Sequence, residues 1–219
     1  TEGILRLEIM GGEPFYMKQF KNFANLLMDR GTSQRIAMTL STNGTVADKV
    51  QLDRMANNFK DLAFSVSIDG IEDKFTYLRH PGNWDEVRNN LDYYYELHTG
   101  DYPVNVQISH TITALNVMYL PEFHEYFKNR WPAFKIWNNF AHYPKWITCS
   151  VLPQRAKKEI TTKLQAYNFG FYQSEIDSLI QYMNTPLYQN GESVAGNVRE
   201  RFDKERLQMF DARSIEKKY

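Results

Sequence analysis

Along the first two thirds of the chain, apolar positions recur with two different periods. Leu5, Leu7 and Ile9; Ile36, Met38 and Leu40; Phe64, Val66 and Ile68; and Val104, Val106 and Ile108 alternate with polar neighbours. A period of two sends alternate side chains to opposite faces, so each stretch predicts a β-strand. Phe134 and Ile136 suggest a fifth. Helical spacing fills the intervals: Met17, Phe20, Ala24 and Leu27; Val50, Met55 and Phe59; Trp84, Val87, Leu91 and Tyr94; Leu120, Phe123 and Phe127. Strands alternating with helices predict parallel βα units, punctuated by turns at Asn43-Gly44, Asp69-Gly70, Pro81-Gly82-Asn83 and Thr99-Gly100-Asp101.

The second parity of these strands is polar: Glu8; Thr39, Ser41 and Asn43; Ser65, Ser67 and Asp69; Asn105, Gln107, Ser109 and Thr111. A parallel strand covered on both faces is almost continuously apolar, so full coverage is excluded. Two arrangements remain. An antiparallel sheet would turn the polar parity to solvent, but it needs hairpins where this chain has helical segments. A parallel barrel, or part of one, would turn it into a wet lumen lined by hydroxyls and amides. Such a lumen needs water or a polar ligand to offset its desolvation, which makes it a candidate binding site.

The pattern changes near residue 141. A loop over His142-Tyr143-Pro144-Lys145-Trp146 leads to a possible short strand from Ile147 to Val151. Helical spacing then follows at Ile160, Leu164, Tyr167 and Phe171, and again at Ile176, Leu179, Ile180 and Met183. The last 21 residues, from Arg199, hold twelve charges of both signs, the mark of a solvated helix or a fraying end. The expected organisation is a βα domain over 1–140 and a mainly helical extension over 141–219.

Charge and composition narrow the function classes. Lys+Arg and Asp+Glu number 26 each, which leaves no excess cation for bulk nucleic-acid binding. One Cys excludes a disulfide framework, and no apolar run is long enough to span a membrane. A soluble, cytoplasmic protein is expected. Cys149 lies in the apolar stretch Ile147-Thr148-Cys149-Ser150-Val151 and reads as a buried structural thiol. The five histidines lack metal-ligand spacing, and His110 falls on the apolar parity of its strand.

The candidate chemistry sits where strands end. Gly11-Gly12-Glu13-Pro14 follows the first strand, Ser41-Thr42-Asn43-Gly44 closes the second, and Ser67-Ile68-Asp69-Gly70 closes the third. Ligands of parallel βα folds bind at the C-terminal ends of the strands. Paired glycines bring bare backbone close to a ligand, and Glu13 offers a carboxylate to an ammonium group. The same four residues also fit a tight turn with a capping Glu. Arg79 suits a ligand carboxylate, or a surface ion pair with Glu72 or Asp73.

In their order along the chain, Leu7-Glu8-Ile9-Met10-Gly11-Gly12-Glu13-Pro14, Ser41-Thr42-Asn43-Gly44 and Ser67-Ile68-Asp69-Gly70 with Arg79 resemble the radical S-adenosylmethionine (radical SAM) enzymes. The resemblance covers residues 4–140. It implies a partial parallel (β/α) barrel, here without its first strand, that holds S-adenosylmethionine and a [4Fe–4S] cluster. Gly11, Gly12 and Glu13 would bind the amino group of the methionine moiety, with Pro14 stiffening the turn. Ser67 and Arg79 would contact the ribose and carboxylate, and Ser41, Asn43 and Asp69 would lie nearby. The segment from Tyr119-Leu120-Pro121 through Tyr143-Pro144-Lys145 to Leu152-Pro153 is similar to a subgroup with a shortened C-terminal "twitch" region.

The family's Cys-x3-Cys-x2-Cys motif is absent, and one Cys does not hold a cluster. The resemblance implies that the first strand and the cluster loop lie before Thr1. The intact enzyme would cleave S-adenosylmethionine reductively with electrons from an external donor and abstract hydrogen from a substrate, a peptide or protein by analogy. The 219 residues alone are expected to be inactive. The competing expectation is an inert βα-barrel binding module without a cluster.

Overall fold

The computed structural model describes residue 3 and residues 5–185. The charged segment from Arg199 lies outside the described residues, as does Ile4, the first residue of the span 4–140. Five strands form one sheet: β1 (Arg6–Ile9), β2 (Ala37–Thr42), β3 (Asp61–Ser67), β4 (Val104–Ile112) and β5 (Lys135–Phe140), in the spatial order β1-β2-β3-β4-β5. Pairing is parallel from β1 through β4. A sheet whose spatial order repeats its chain order is wound in one direction only. With right-handed crossovers, every connecting helix then falls on the same face, as in a barrel. The antiparallel alternative is therefore overturned, and the partial-barrel expectation holds.

The helices are α1 (Lys18–Asp29), α2 (Lys49–Asn58), α3 (Glu72–Leu78), α4 (Trp84–Thr99), α5 (Leu120–Arg130), α6 (Gln154–Ala166) and α7 (Gln173–Asn184). Local chemistry starts two of them. Asp48 accepts from the Gln51 amide ahead of α2, and Asn83 accepts from the amides of Asp85 and Glu86 ahead of α4. The apolar parity of the strands packs beneath the helices. Met38, Leu40, Phe64, Val66, Val106 and Ile108 are buried, with Phe64 against Tyr94 of α4 at a ring separation of 5.2 Å. Each such side chain contributes about 1.5–3 kcal/mol by leaving water.

Four details differ from the sequence reading. Ile147 to Val151 is not a strand but two single turns of 3-10 helix, Lys145–Ile147 and Cys149–Val151. Val50 is 80% exposed; Met55 and Phe59 are buried as expected, and Leu52 and Ala56 join them. Helix α6 ends before Tyr167, and Phe171 is exposed in a separate turn. Strand β1 lies at the sheet edge, so Leu7 and Ile9 are only half-buried and Leu5 is exposed.

The chain forms two compact units. The first comprises residues 1–111 and 123–139. Of the described residues, the second comprises 112–122 and 140–185, with a core of Ile112, Val117, Leu120, Cys149, Ile160, Leu164, Phe169, Ile176, Leu179 and Met183. Among the described residues, no helix is long and apolar enough to cross a membrane.

Candidate functional site

The strand register in the first unit aligns the polar parity into rows. Glu8, Thr39, Ala63 and Asn105 stand side by side across four strands, followed by Ser41, Ser65 and Gln107, then by Ser67 and Ser109. The Asn139 amide of β5 continues the last row by donating to the Ser109 hydroxyl at 3.3 Å. These residues are half-buried at Thr39, Ser41, Ser65, Ser67 and Ser109 and exposed at Glu8, Asn105 and Gln107. Among the described residues, the face opposite the helices is thus left partly open and is lined mainly with hydroxyls and amides.

At the C-terminal end of that face, three turns converge. Gly11 and Gly12 both have positive φ, 88° and 63°, and a Cβ built at either position meets no atom within 4 Å. Their backbone is therefore bare and open. Glu13 behaves differently. Its carboxylate is buried and accepts from the Thr42 hydroxyl at 2.8–2.9 Å, from the Asn43 amide at 2.9 Å and from the Phe15 amide at 3.4 Å. It caps the short turn Pro14–Tyr16 and ties the end of β1 to the end of β2. The capping role considered from the sequence is what the side chain performs. The Glu13 carbonyl accepts from the Tyr16 amide at 3.1 Å, so the open backbone of this turn is that of Gly11 and Gly12.

The second turn is compact. The Thr42 hydroxyl accepts from the Gly44 amide at 3.1 Å, and the Asn43 side chain accepts from the amide and hydroxyl of Thr45. Gly44 has φ 74°, and a Cβ there would sit 3.0 Å from Val66. Below it, the Tyr94 phenol is fully buried near Thr42 and Glu13. Burial, reinforced by the Glu13 charge, pushes its ionisation far above the usual tyrosine range.

In the third turn, Asp69 and Arg79 pair with each other. Asp69 Oδ2 accepts from Arg79 Nε at 2.7 Å and from Nη2 at 2.6 Å, while Oδ1 accepts from the Thr111 amide of β4 at 2.9 Å. Arg79 pairs with neither Glu72 nor Asp73 but reaches back across the end of β3. Both side chains are partly buried.

Sequence reasoning gave no role to three residues here, Thr42, Trp137 and Asn139. Thr42 falls on the apolar parity of β2, and a polar residue there signals a buried partner, which is Glu13. Trp137 and Asn139 lie opposite in parity to Phe134 and Ile136. Trp137 is 62% exposed, and its indole donates to Asn139 at 3.0 Å.

The described residues do not fit an iron–sulfur cluster. No group of three or more His, Cys, Asp or Glu among them is placed to hold a metal ion. Cys149, in the second unit, is buried, and desolvation pushes its thiol up to about 12. His110 is buried on the helix side, where its Nδ1 donates to the Ile68 carbonyl at 2.9 Å.

No protein-family model matches the chain, and no curated protein matches it. Solved structures do. Native anSMEcpe, a radical SAM enzyme, with bound AdoMet matches with a TM-score of 0.53 and 16% identity, covering 82% of this chain and 49% of that one. The same protein with AdoMet and Cp18Cys peptide gives 0.51 and 16%, over 81% and 49%. With AdoMet and Kp18Cys peptide the values are 0.51 and 15%, over 80% and 48%. At these identities the likeness is one of fold: the chain shares with these structures the partial parallel (β/α) barrel expected from its sequence. It spans about half the length of those solved chains.

Proposed function

We propose that this chain is the S-adenosylmethionine-binding part of a radical SAM enzyme acting on a peptide. The observation that carries the proposal is the convergence of three turns at one end of a partly open polar sheet face. Bare backbone at Gly11-Gly12, hydroxyls at Ser41 and Ser67 and the guanidinium of Arg79 supply acceptors and donors for a zwitterionic nucleoside ligand. Main-chain carbonyls of Gly11 and Gly12 accept from the ligand ammonium, while Glu13 and Pro14 hold the turn rigid. Ser67 serves the ribose and Arg79 the carboxylate. Ser41 and Asn43 line the wall between them. Supporting this reading, structures of the same fold contain AdoMet, and two of those cited contain peptides as well.

Reductive cleavage of S-adenosylmethionine needs a [4Fe–4S] cluster held by thiolates. The 219 residues hold one Cys, so that step is not assigned to them. Their own contribution is to bind and orient the ligand. The single cysteine equally favours a second reading, a cluster-free βα-barrel binding module.

Equilibrium dialysis with labelled S-adenosylmethionine tests the proposal. Saturable binding that falls about tenfold in Ser67→Val or Arg79→Ala supports it. No binding at millimolar ligand, or binding indifferent to both changes, would refute it. Iron content and visible absorption of anaerobically purified protein separate the two readings.

A further inference from the structure

Arg79 is the one cation assigned to the proposed site, and its partner decides what that cation can recognise. A guanidinium has five N–H donors in a planar fork. Two of them, one on Nε and one on Nη2, are spent on a single oxygen of Asp69, at 2.7 and 2.6 Å. That contact occupies the side edge of the fork. The end edge, formed by Nη1 and the remaining Nη2 hydrogen, is the edge that matches a second carboxylate with two parallel bonds. Asp69 is itself immobilised, because its other oxygen accepts from the Thr111 amide at 2.9 Å. Arg79 also has its backbone fixed, with its amide bonded to Phe75 and its carbonyl accepting from Gly82. A Cβ at position 82 would lie 2.9 Å from that carbonyl, so Gly82 permits the close approach.

We infer that Asp69 is a positioning residue. It touches no ligand; it clamps the side edge of Arg79 so that the end edge faces a ligand carboxylate, and it cancels the guanidinium's charge for any anion that cannot use that edge. An unclamped arginine would attract anions generally and would have to freeze several rotors on binding. The clamped one discriminates by geometry. Site selectivity for a ligand bearing an α-carboxylate therefore depends on Asp69. The inference rests on the S-adenosylmethionine reading above.

The test is a ratio of affinities, measured by equilibrium dialysis on the same protein. S-adenosylmethionine is compared with its decarboxylated analogue, S-adenosyl-3-methylthiopropylamine, which differs only in lacking the carboxylate. Wild type is expected to prefer the carboxylated ligand by about tenfold or more. In Asp69→Asn, which keeps an acceptor for Thr111, the preference is expected to fall to within about threefold. Arg79→Gln should abolish it. A general loss of folding would weaken both ligands together and leave the ratio unmoved. An unchanged or increased ratio in Asp69→Asn, with Arg79→Gln still abolishing the preference, overturns the positioning role but spares the site. If wild type binds neither ligand, the underlying reading fails and the inference falls with it.

Discussion

The Thr42 hydroxyl donates to the Glu13 carboxylate across 29 residues of sequence, at 2.8–2.9 Å between two buried side chains. Through this bond and the adjacent Asn43 amide, the paired-glycine turn after β1 is tied to the turn after β2. Removing the donor leaves a buried carboxylate short of a partner. Thr42→Val is expected to destabilise the protein by about 1–3 kcal/mol in urea unfolding, with Thr42→Ser close to wild type. Equal midpoints for Val and wild type would show that the bond does not hold the turn.

The row residues behave in the opposite way. Ser67 is half-buried on the partly open face, where the structure asks little of it. Ser67→Val is expected to change unfolding free energy by less than about 0.5 kcal/mol while weakening S-adenosylmethionine binding. A large stability loss would mean that the face is covered and structural.

Gly44 combines positive φ with a close neighbour, Val66. Gly44→Ala is expected to cost about 1–2 kcal/mol, seen as a lower melting temperature. Gly11→Ala carries the same backbone strain without the clash, since a Cβ there meets open space. It should melt higher than Gly44→Ala, and the reverse order would contradict the geometry.

These sites differ in how far the sequence disclosed them. The strand faces were legible because Met38, Leu40, Phe64 and Val66 alternate strictly with polar residues, and burial of one parity leaves no other register. The capping role of Glu13 was legible, but its bond to Thr42 was not. Whether a carboxylate faces outward or turns back to Thr42 depends on a pairing between strands, which no local pattern encodes. The ion-pair partner of Arg79 was misread for the same reason: Asp69 is ten residues away in sequence and is brought close only by the fold of α3. The turns at Ile147 to Val151 escaped because five residues of apolar and hydroxyl type satisfy a strand pattern as readily as a 3-10 one.

The buried histidines give the first unit a specific acid sensitivity. Desolvation holds His110 down to about 4 against the pull of Asp69 and the Ile68 carbonyl, and it lowers His124, which neighbours His110, to about 4 as well. Between roughly pH 6.5 and 4 the unfolded chain takes up protons that the folded one refuses. Stability is therefore full above the unfolded value and falls as pH drops through that window, on the order of 2–3 kcal/mol for each ring. Urea midpoints at pH 7 and pH 4.5 check this. His110→Leu should flatten the difference, whatever its absolute stability, and an equal slope in wild type and variant would contradict the assignment.

The central claim is that S-adenosylmethionine occupies the partly open polar face at the ends of β1, β2 and β3. Hydrogen–deuterium exchange of the 219-residue chain, with and without millimolar S-adenosylmethionine, reads that location directly. The account predicts slower exchange at the amides of Gly11–Glu13, Asn43–Thr45 and Ser67–Gly70, with little change in helices α1, α2 and α4. Protection confined to the helical face, or none in those three turns at saturating ligand, would contradict it.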